Sequence, residues 1–179
     1  ITKIEKKRLP NHPLTLHYIY DLEGYFVSLS GFAPEFAPCL NRLLNYDTHL
    51  HSVCFYLKQN EKLPGKCIRN KRLLNKTNIT EPYYSCCYAG CEEFVIPVMH
   101  EEKSIIRISV SGYRGKLKQS GKFMERMISK YGSTIENLYK ELSPSPPSLD
   151  DVVKFITPLG YMFIELYKHC ERIADHNEK

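Results

Sequence analysis

The chain has 179 residues, with 25 Lys and Arg against 20 Asp and Glu, and its formal net charge is +5. Its 42% hydrophobic and 25% charged residues are ordinary for a globular chain with a core, which excludes the disordered and collagen-like classes. The longest apolar runs are far too short to cross a bilayer, so we expect no membrane partner, and the charge surplus is too mild for a nucleic-acid-binding surface.

The chain contains seven cysteines, an odd number that argues against a fully paired disulfide scaffold. It is also long enough to fold without such cross-links. No charged segment followed by an apolar segment, the pattern of a secretion signal, is seen at the start. We therefore expect free thiols and a cytoplasmic location.

Two hairpins are predicted from composition and alternation. Residues 14–20 and 25–29 are rich in β-branched and aromatic side chains, and residues 21–24 between them end in a glycine that suits a tight turn. Residues 93–99 lead through a polar turn into 104–113, where apolar and polar side chains alternate. This alternation predicts a strand with one buried and one polar face.

Helical spacing of apolar residues fills the region between the hairpins, over residues 35–44, 49–59 and 66–75. The order of hairpin, helices and hairpin predicts an α+β fold, in which helices pack on one face of an antiparallel sheet. A further helix is predicted over residues 119–142, weakened by Gly132 and ended by the proline-rich residues 143–147.

The last predicted helix begins after Ser148, which is a good N-cap residue. We expect Pro158 to kink or split this helix near Thr157. Its apolar stripe fits either a coiled coil or an ordinary amphipathic helix lying on the core. The stripe consists of Leu149, Val152, Ile156, Leu159, Phe163, Leu166, Cys170 and Ile173.

A cysteine-rich stretch at residues 83–93 is the least ordinary feature of the sequence and leaves three interpretations open. Small buried side chains beside a tight Ala-Gly turn are the interpretation that the pattern alone favours. A catalytic thiol would need His49, His51 or His100 as a base. A zinc site would need two pairs of ligands, for which the candidates are Cys54, Cys67, Cys87 and Cys91.

Three segments together resemble the PocR sensory domain: residues 66–71 (KCIRNK), 81–98 (EPYYSCCYAGCEEFVIPV) and 105–112 (IIRISVSG). That family has a cysteine before a short charged helix, a Pro-Tyr leading to Cys-His-Ala-Gly, and a strand that ends in glycine. The resemblance covers about residues 14–118. This chain departs from the pattern at Tyr88, which replaces the histidine, at Arg69 and Asn70, and at Arg107, which replaces a glycine.

The resemblance implies a PAS-like sheet with a small-molecule pocket in a sensory domain over residues 1–118. Residues 119–179 would then be C-terminal helices that lead towards an output domain. Cys54, Cys67 and Cys87 match cysteine positions of the family, and the remaining candidates lie in or beside the tight turn. The candidate ligand-binding residues are Cys54, Cys67, Tyr84, Cys87, Tyr88, Gly90 and Glu93.

The expected function is that of a ligand-sensing regulatory domain in a bacterial AraC-type transcriptional regulator. It would bind a small organic ligand, form a homodimer through its C-terminal helices, and reach DNA only through a separate domain. We expect no cofactor and no enzymatic activity. The alternative, from a different class, is a cysteine-based metal-binding or redox-sensing protein.

Overall fold

The computed structural model of the chain describes residues 4–7, 17–22, 25–30, 33, 51–60 and 79–177. Within these ranges, six strands form one antiparallel sheet in the order β1-β2-β3-β6-β5-β4. The strands are β1 (Ile4–Lys7), β2 (His17–Leu22), β3 (Tyr25–Ser30), β4 (Tyr83–Cys86), β5 (Glu92–His100) and β6 (Lys103–Tyr113).

Four helices accompany the sheet in the same part of the chain, so the predicted α+β class is confirmed. None of them combines the length and the apolar character that a membrane-spanning helix needs. The helices are α1 (Ser52–Asn60), α2 (Lys118–Tyr131), α3 (Ser133–Lys140) and α4 (Leu149–Asn177).

Both predicted hairpins are confirmed. Strands β2 and β3 pair with Leu22 opposite Tyr25, and β5 pairs with β6 along its whole length. Strands β1 and β4 were not predicted, because each has only four residues and β4 lies inside the cysteine-rich stretch. Helix α1 falls within the predicted helical region 49–59 apart from its last residue, whereas the helices predicted over 35–44 and 66–75 lie outside the described residues.

The prediction of one helix over residues 119–142 is wrong, because Gly132 separates α2 from α3. Its backbone has a φ of 73°, a value that side chains rarely allow, and its N–H donates a hydrogen bond to the carbonyl of Ile128. Gly132 therefore ends α2, so its effect is larger than the small loss of helix propensity that the sequence suggested.

Helix α4 packs across β5 and β6 through the middle of its apolar stripe. The stripe therefore lies on the core as an amphipathic helix does. The helix also runs through Pro158 without being split, and the hydroxyl of Thr157 donates to the carbonyl of Val153 just before it. The contact between α4 and the sheet forms a first apolar cluster. Its buried residues include Val27, Phe94, Val98, Ile106, Ile108, Val110, Val152, Ile156, Phe163, Tyr167 and Cys170.

A second apolar cluster joins α1, α2 and α3 to the turn between β4 and β5. Both clusters contain residues from each side of position 118, so the predicted C-terminal helices pack directly on the predicted sensory part. The buried members of the second cluster are Val53, Leu57, Ala89, Cys91, Met127, Ile135, Tyr139 and Leu142.

Candidate functional site

The turn between β4 and β5 is tight and requires a glycine. The N–H of Gly90 donates to the carbonyl of Cys87 at 2.9 Å, and the N–H of Cys87 donates to the carbonyl of Cys91 at 3.0 Å. Gly90 has a φ of 79°, and a Cβ atom there would lie 2.7 Å from the backbone oxygen of Ser120. The glycine thus lets the turn press against the start of α2.

Side chains of α2 and α3 hold this turn in place. The hydroxyl of Ser120 donates to the carbonyl of Gly90 at 2.7 Å, and the hydroxyl of Tyr139 donates to the carbonyl of Ala89. Ser120 and Tyr139 are both buried, so each bond also satisfies a polar group that water does not reach. The turn is therefore fixed by two helices that come much later in the sequence.

A cluster of cysteine and histidine side chains faces the turn from α1. His51 and Cys54 are one helical turn apart, and the backbone N–H of Cys54 donates to the carbonyl of His51 as α1 begins. The Sγ atom of Cys54 lies 3.4 Å from Nε2 of His51. The ligand atoms of His51, Cys54 and Cys91 all lie within 4.8 Å of one another.

The thiols of this cluster influence each other's protonation. A hydrogen bond from the thiol of Cys91 holds the pKa of Cys54 well below its ordinary value, with a further contribution from His51, although burial opposes the shift. The hydrogen bonds that Cys91 makes to Cys54 and Cys87, together with its burial, raise its own pKa well above the ordinary value. These opposite shifts favour the thiolate form of Cys54 and the protonated form of Cys91.

The carboxylate of Glu92, next to Cys91 in the chain, organises the start of α2. It is buried and accepts backbone hydrogen bonds from Gly115 at 3.0 Å, Lys116 at 3.0 Å and Leu117 at 3.2 Å. The residue before the helix, Leu117, provides no side-chain cap of its own. Glu92 therefore fixes the loop that leads into α2 and satisfies the backbone N–H of the N-cap residue Leu117.

The face of the central strands that points away from α4 is polar and buried. The face that α4 covers includes Phe94, Ile108 and Val110. Because successive side chains in a strand point to opposite faces, the residues between them lie on the other face. The other face carries side chains that are polar but at most 7% exposed. The sequence predicted a polar face here and did not predict its burial. These residues are Glu93, Arg107, Ser109 and Ser111.

Tyr83 adds an unsatisfied hydroxyl to this buried polar face. It lies opposite Val95, which is opposite Ser109 on the next strand, so all three share the face. Its hydroxyl is buried and has no hydrogen-bond partner among the described residues. Burial raises the pKa of Tyr83, while the charge of Arg107 lowers it and that of Glu93 raises it, so both charged groups lie nearby.

The predicted ligand-binding residues do not form one site. Cys54 and Cys87 come together around Cys91, Tyr88 and Gly90 form the turn, and Cys67 lies outside the described residues. Tyr84 and Glu93 lie on opposite faces of the sheet. The ring of Tyr84 packs 4.7 Å from that of Phe94, and Nζ of Lys116 lies 4.9 Å above it.

Of the three histidines considered as bases for a catalytic thiol, His51 lies beside Cys54 and in one cluster with Cys91. His100 packs against Tyr167 with ring centres 5.5 Å apart, and His49 lies outside the described residues. In the sequence, the only local sign that His51 belongs to the cysteine cluster is its position three residues before Cys54. Sequence reasoning had included Cys54, Cys87 and Cys91 in a metal site but not His51.

Comparison of the chain with protein-family models, with curated proteins and with solved structures gives no match in any of the three. The resemblance to the PocR sensory domain therefore stays a prediction.

Proposed function

We propose that the chain is the ligand-sensing domain of an AraC-type transcriptional regulator and that it binds a small organic molecule on the buried polar face of its sheet. The observation that carries the ligand site is the hydroxyl of Tyr83, which is buried without a partner among the described residues, beside Arg107 and Glu93. The regulator class rests on the ordered motifs at residues 66–71, 81–98 and 105–112.

The burial of polar groups on this face lowers the stability of the fold unless they find partners. A buried hydroxyl that makes no hydrogen bond costs about 1–3 kcal/mol. If stability alone had been selected, we would expect apolar side chains at the positions of Ser109 and Ser111. The opposite face of the same strand does carry apolar side chains, Ile108 and Val110. A binding site explains both features, because pockets combine a few fixed polar groups with apolar walls.

The polar groups also indicate the class of ligand. A guanidinium such as that of Arg107 pairs well with a carboxylate, and serine and tyrosine hydroxyls pair with hydroxyl or carbonyl oxygens. The apolar side chain of Val95 lies between them on the same face. A small molecule with a carboxylate or several hydroxyl groups suits this arrangement.

Signal transmission would pass through the strands themselves. The polar face and the α4 face belong to the same two strands, β5 and β6, so a shift of these strands on ligand binding displaces the helix packed behind them. A ligand acts in this way only through different affinities for the two arrangements. The proposal includes a homodimer through α4, where Val153 and Tyr161 are exposed apolar residues.

A thermal-shift screen of small carboxylic acids and polyols tests the ligand site. Any compound that stabilises the chain is then titrated against Ser109→Val and Ile108→Val, two neighbours on β6 that point to opposite faces. We expect Ser109→Val to weaken binding at least about tenfold, the effect of one lost hydrogen bond, and Ile108→Val to leave it unchanged. A panel without a binder, or a binder that is insensitive to Ser109→Val, contradicts the proposal.

The regulator class has a separate test in the complete reading frame of the gene. A DNA-binding domain with a helix-turn-helix pattern encoded after Lys179 supports it. An enzyme domain at that place contradicts it.

A further inference from the structure

We propose that His51, Cys54, Cys87 and Cys91 together bind one Zn²⁺ ion, which fastens the start of α1 to the turn between β4 and β5. This site is separate from the polar sheet face and does not depend on the proposed ligand. It differs from the zinc set considered from the sequence, because His51, directly before α1, takes the place of Cys67.

The ligand atoms of His51, Cys54 and Cys91 are close enough together to share one metal ion. Zinc bound at about 2.0 Å from nitrogen and 2.3 Å from sulfur holds these ligands about 3.5 Å apart, and holds two sulfurs about 3.8 Å apart. The observed separation between Nε2 of His51 and Sγ of Cys54 is 3.4 Å. With Cys91 included, no pair of ligand atoms is more than 4.8 Å apart.

Cys87 is the fourth ligand of the proposed site. It lies on the same turn as Cys91, and its backbone N–H donates to the carbonyl of Cys91 at 3.0 Å. Its thiol influences the pKa of Cys91 but lies outside the group of three whose ligand atoms are all within 4.8 Å of one another, so its side chain moves towards the ion on binding. Cys87 and Cys91 form a C-x₃-C pair on the turn, while His51 and Cys54 form an H-x-x-C pair where α1 begins. Three thiolates and one imidazole are a ligand set typical of structural zinc sites.

The surroundings hold these ligands in position before an ion arrives. The bonds from Ser120 and Tyr139 fix the turn that carries Cys87 and Cys91, and the first turn of α1 fixes His51 relative to Cys54. Positioning of this kind strengthens metal binding. On binding, each thiol that still carries its proton releases it and forms a sulfur–zinc bond.

Metal analysis of the full chain tests the site. The protein is produced in zinc-supplemented medium, purified without chelators, and its metal content is measured by mass spectrometry. We expect about one zinc per chain. Replacement with Co²⁺ should give the visible absorption of a tetrahedral ion together with thiolate-to-metal charge-transfer bands.

Variants identify the ligands. Cys54→Ser and His51→Asn are expected to weaken zinc binding at least about 100-fold, since even changes outside the ligand shell cost 10- to 100-fold. Cys86→Ser and Cys170→Ser are matched controls that should keep one zinc, because neither cysteine belongs to the cluster. Circular dichroism shows whether each variant is folded. If a serine variant does not fold, His51→Asn still tests the site, because it leaves all the cysteines in place.

Wild-type protein that contains no zinc after this preparation overturns the proposal. Zinc that is retained at full occupancy in folded His51→Asn and Cys54→Ser also overturns it, as does Co²⁺ bound without charge-transfer bands. Loss of zinc does not bear on the ligand screen, so the two proposals can fail independently.

Discussion

The carboxylate of Glu92 accepts a hydrogen bond at 3.2 Å from the backbone N–H of Leu117, the residue directly before α2. Strand β5 therefore supplies the acceptor for the N-cap residue of α2, which lies 25 positions later in the chain. The neighbours of Glu92 on either side belong to the two candidate sites, because Cys91 lies in the cysteine cluster and Glu93 lies on the polar face. One residue thus ties the sites to the C-terminal helices.

Glu92→Ala should destabilise the chain by about 2–3 kcal/mol, because three backbone donors lose a charged acceptor in a buried place. Urea unfolding measures the change. Glu125→Ala, at an exposed position of α2, is the control and should change stability by less than about 0.5 kcal/mol. Equal effects at the two positions would show that Glu92 does not cap the helix.

Gly90→Ala should destabilise the chain by about 2 kcal/mol or more, since a φ of 79° disfavours alanine and the new Cβ atom would meet the backbone of Ser120. Gly121→Ala is a matched control inside α2, where no atom lies within 4 Å of the added carbon. It should stabilise the chain by about 0.5–1 kcal/mol through helix propensity. The midpoints of thermal unfolding distinguish these opposite signs, and a tolerated Gly90→Ala would refute the close contact.

Tyr139→Phe should lower the free energy of unfolding by about 1 kcal/mol, because the carbonyl of Ala89 loses its buried hydrogen-bond donor. Tyr131→Phe removes a hydroxyl that is buried without a partner among the described residues, so it should leave stability unchanged or raise it slightly. Urea unfolding of the pair compares a bonded with an unbonded tyrosine on neighbouring helices. A larger loss at Tyr131 would contradict the assignment of these hydrogen bonds.

Tyr161→Glu should convert the proposed dimer into a monomer without loss of fold, because the ring is 68% exposed beside an apolar groove that also contains Ile96 and Val153. Phe163→Glu should instead unfold the chain, since the side chain of Phe163 is buried between α4 and the sheet. Analytical ultracentrifugation measures the mass of each folded variant. Lys154→Glu serves as the exposed control, and a Tyr161→Glu protein that stays dimeric would exclude this face as the interface.

Local patterns in the sequence were enough to predict the hairpins and the helical character of residues 149–173. Alternation specifies a strand, and the apolar stripe around Val152 and Phe163 specifies a helix with one buried side. Gly132 shows the limit of this reasoning. Its cost in a helix was foreseen, but the break depends on the positive φ that the backbone adopts there.

The candidate sites depend on contacts between distant segments and could be predicted only in part. Nothing near His51 in the sequence indicates that it meets Cys91, 40 positions later. The alternating serines of β6 predicted a polar face, yet alternation does not reveal whether that face is buried. The sequence does not reveal that the hydroxyl of Tyr83 lacks a hydrogen bond, because that is a property of the folded chain.

Amide NMR of the full chain, titrated with a compound from the screen, shows whether the buried polar face of the sheet binds the ligand. We expect the largest shifts at the amides of Tyr83, Ser109 and Ser111, on strands β4 and β6. Shifts confined to the apolar groove at Val153 and Tyr161 would contradict it.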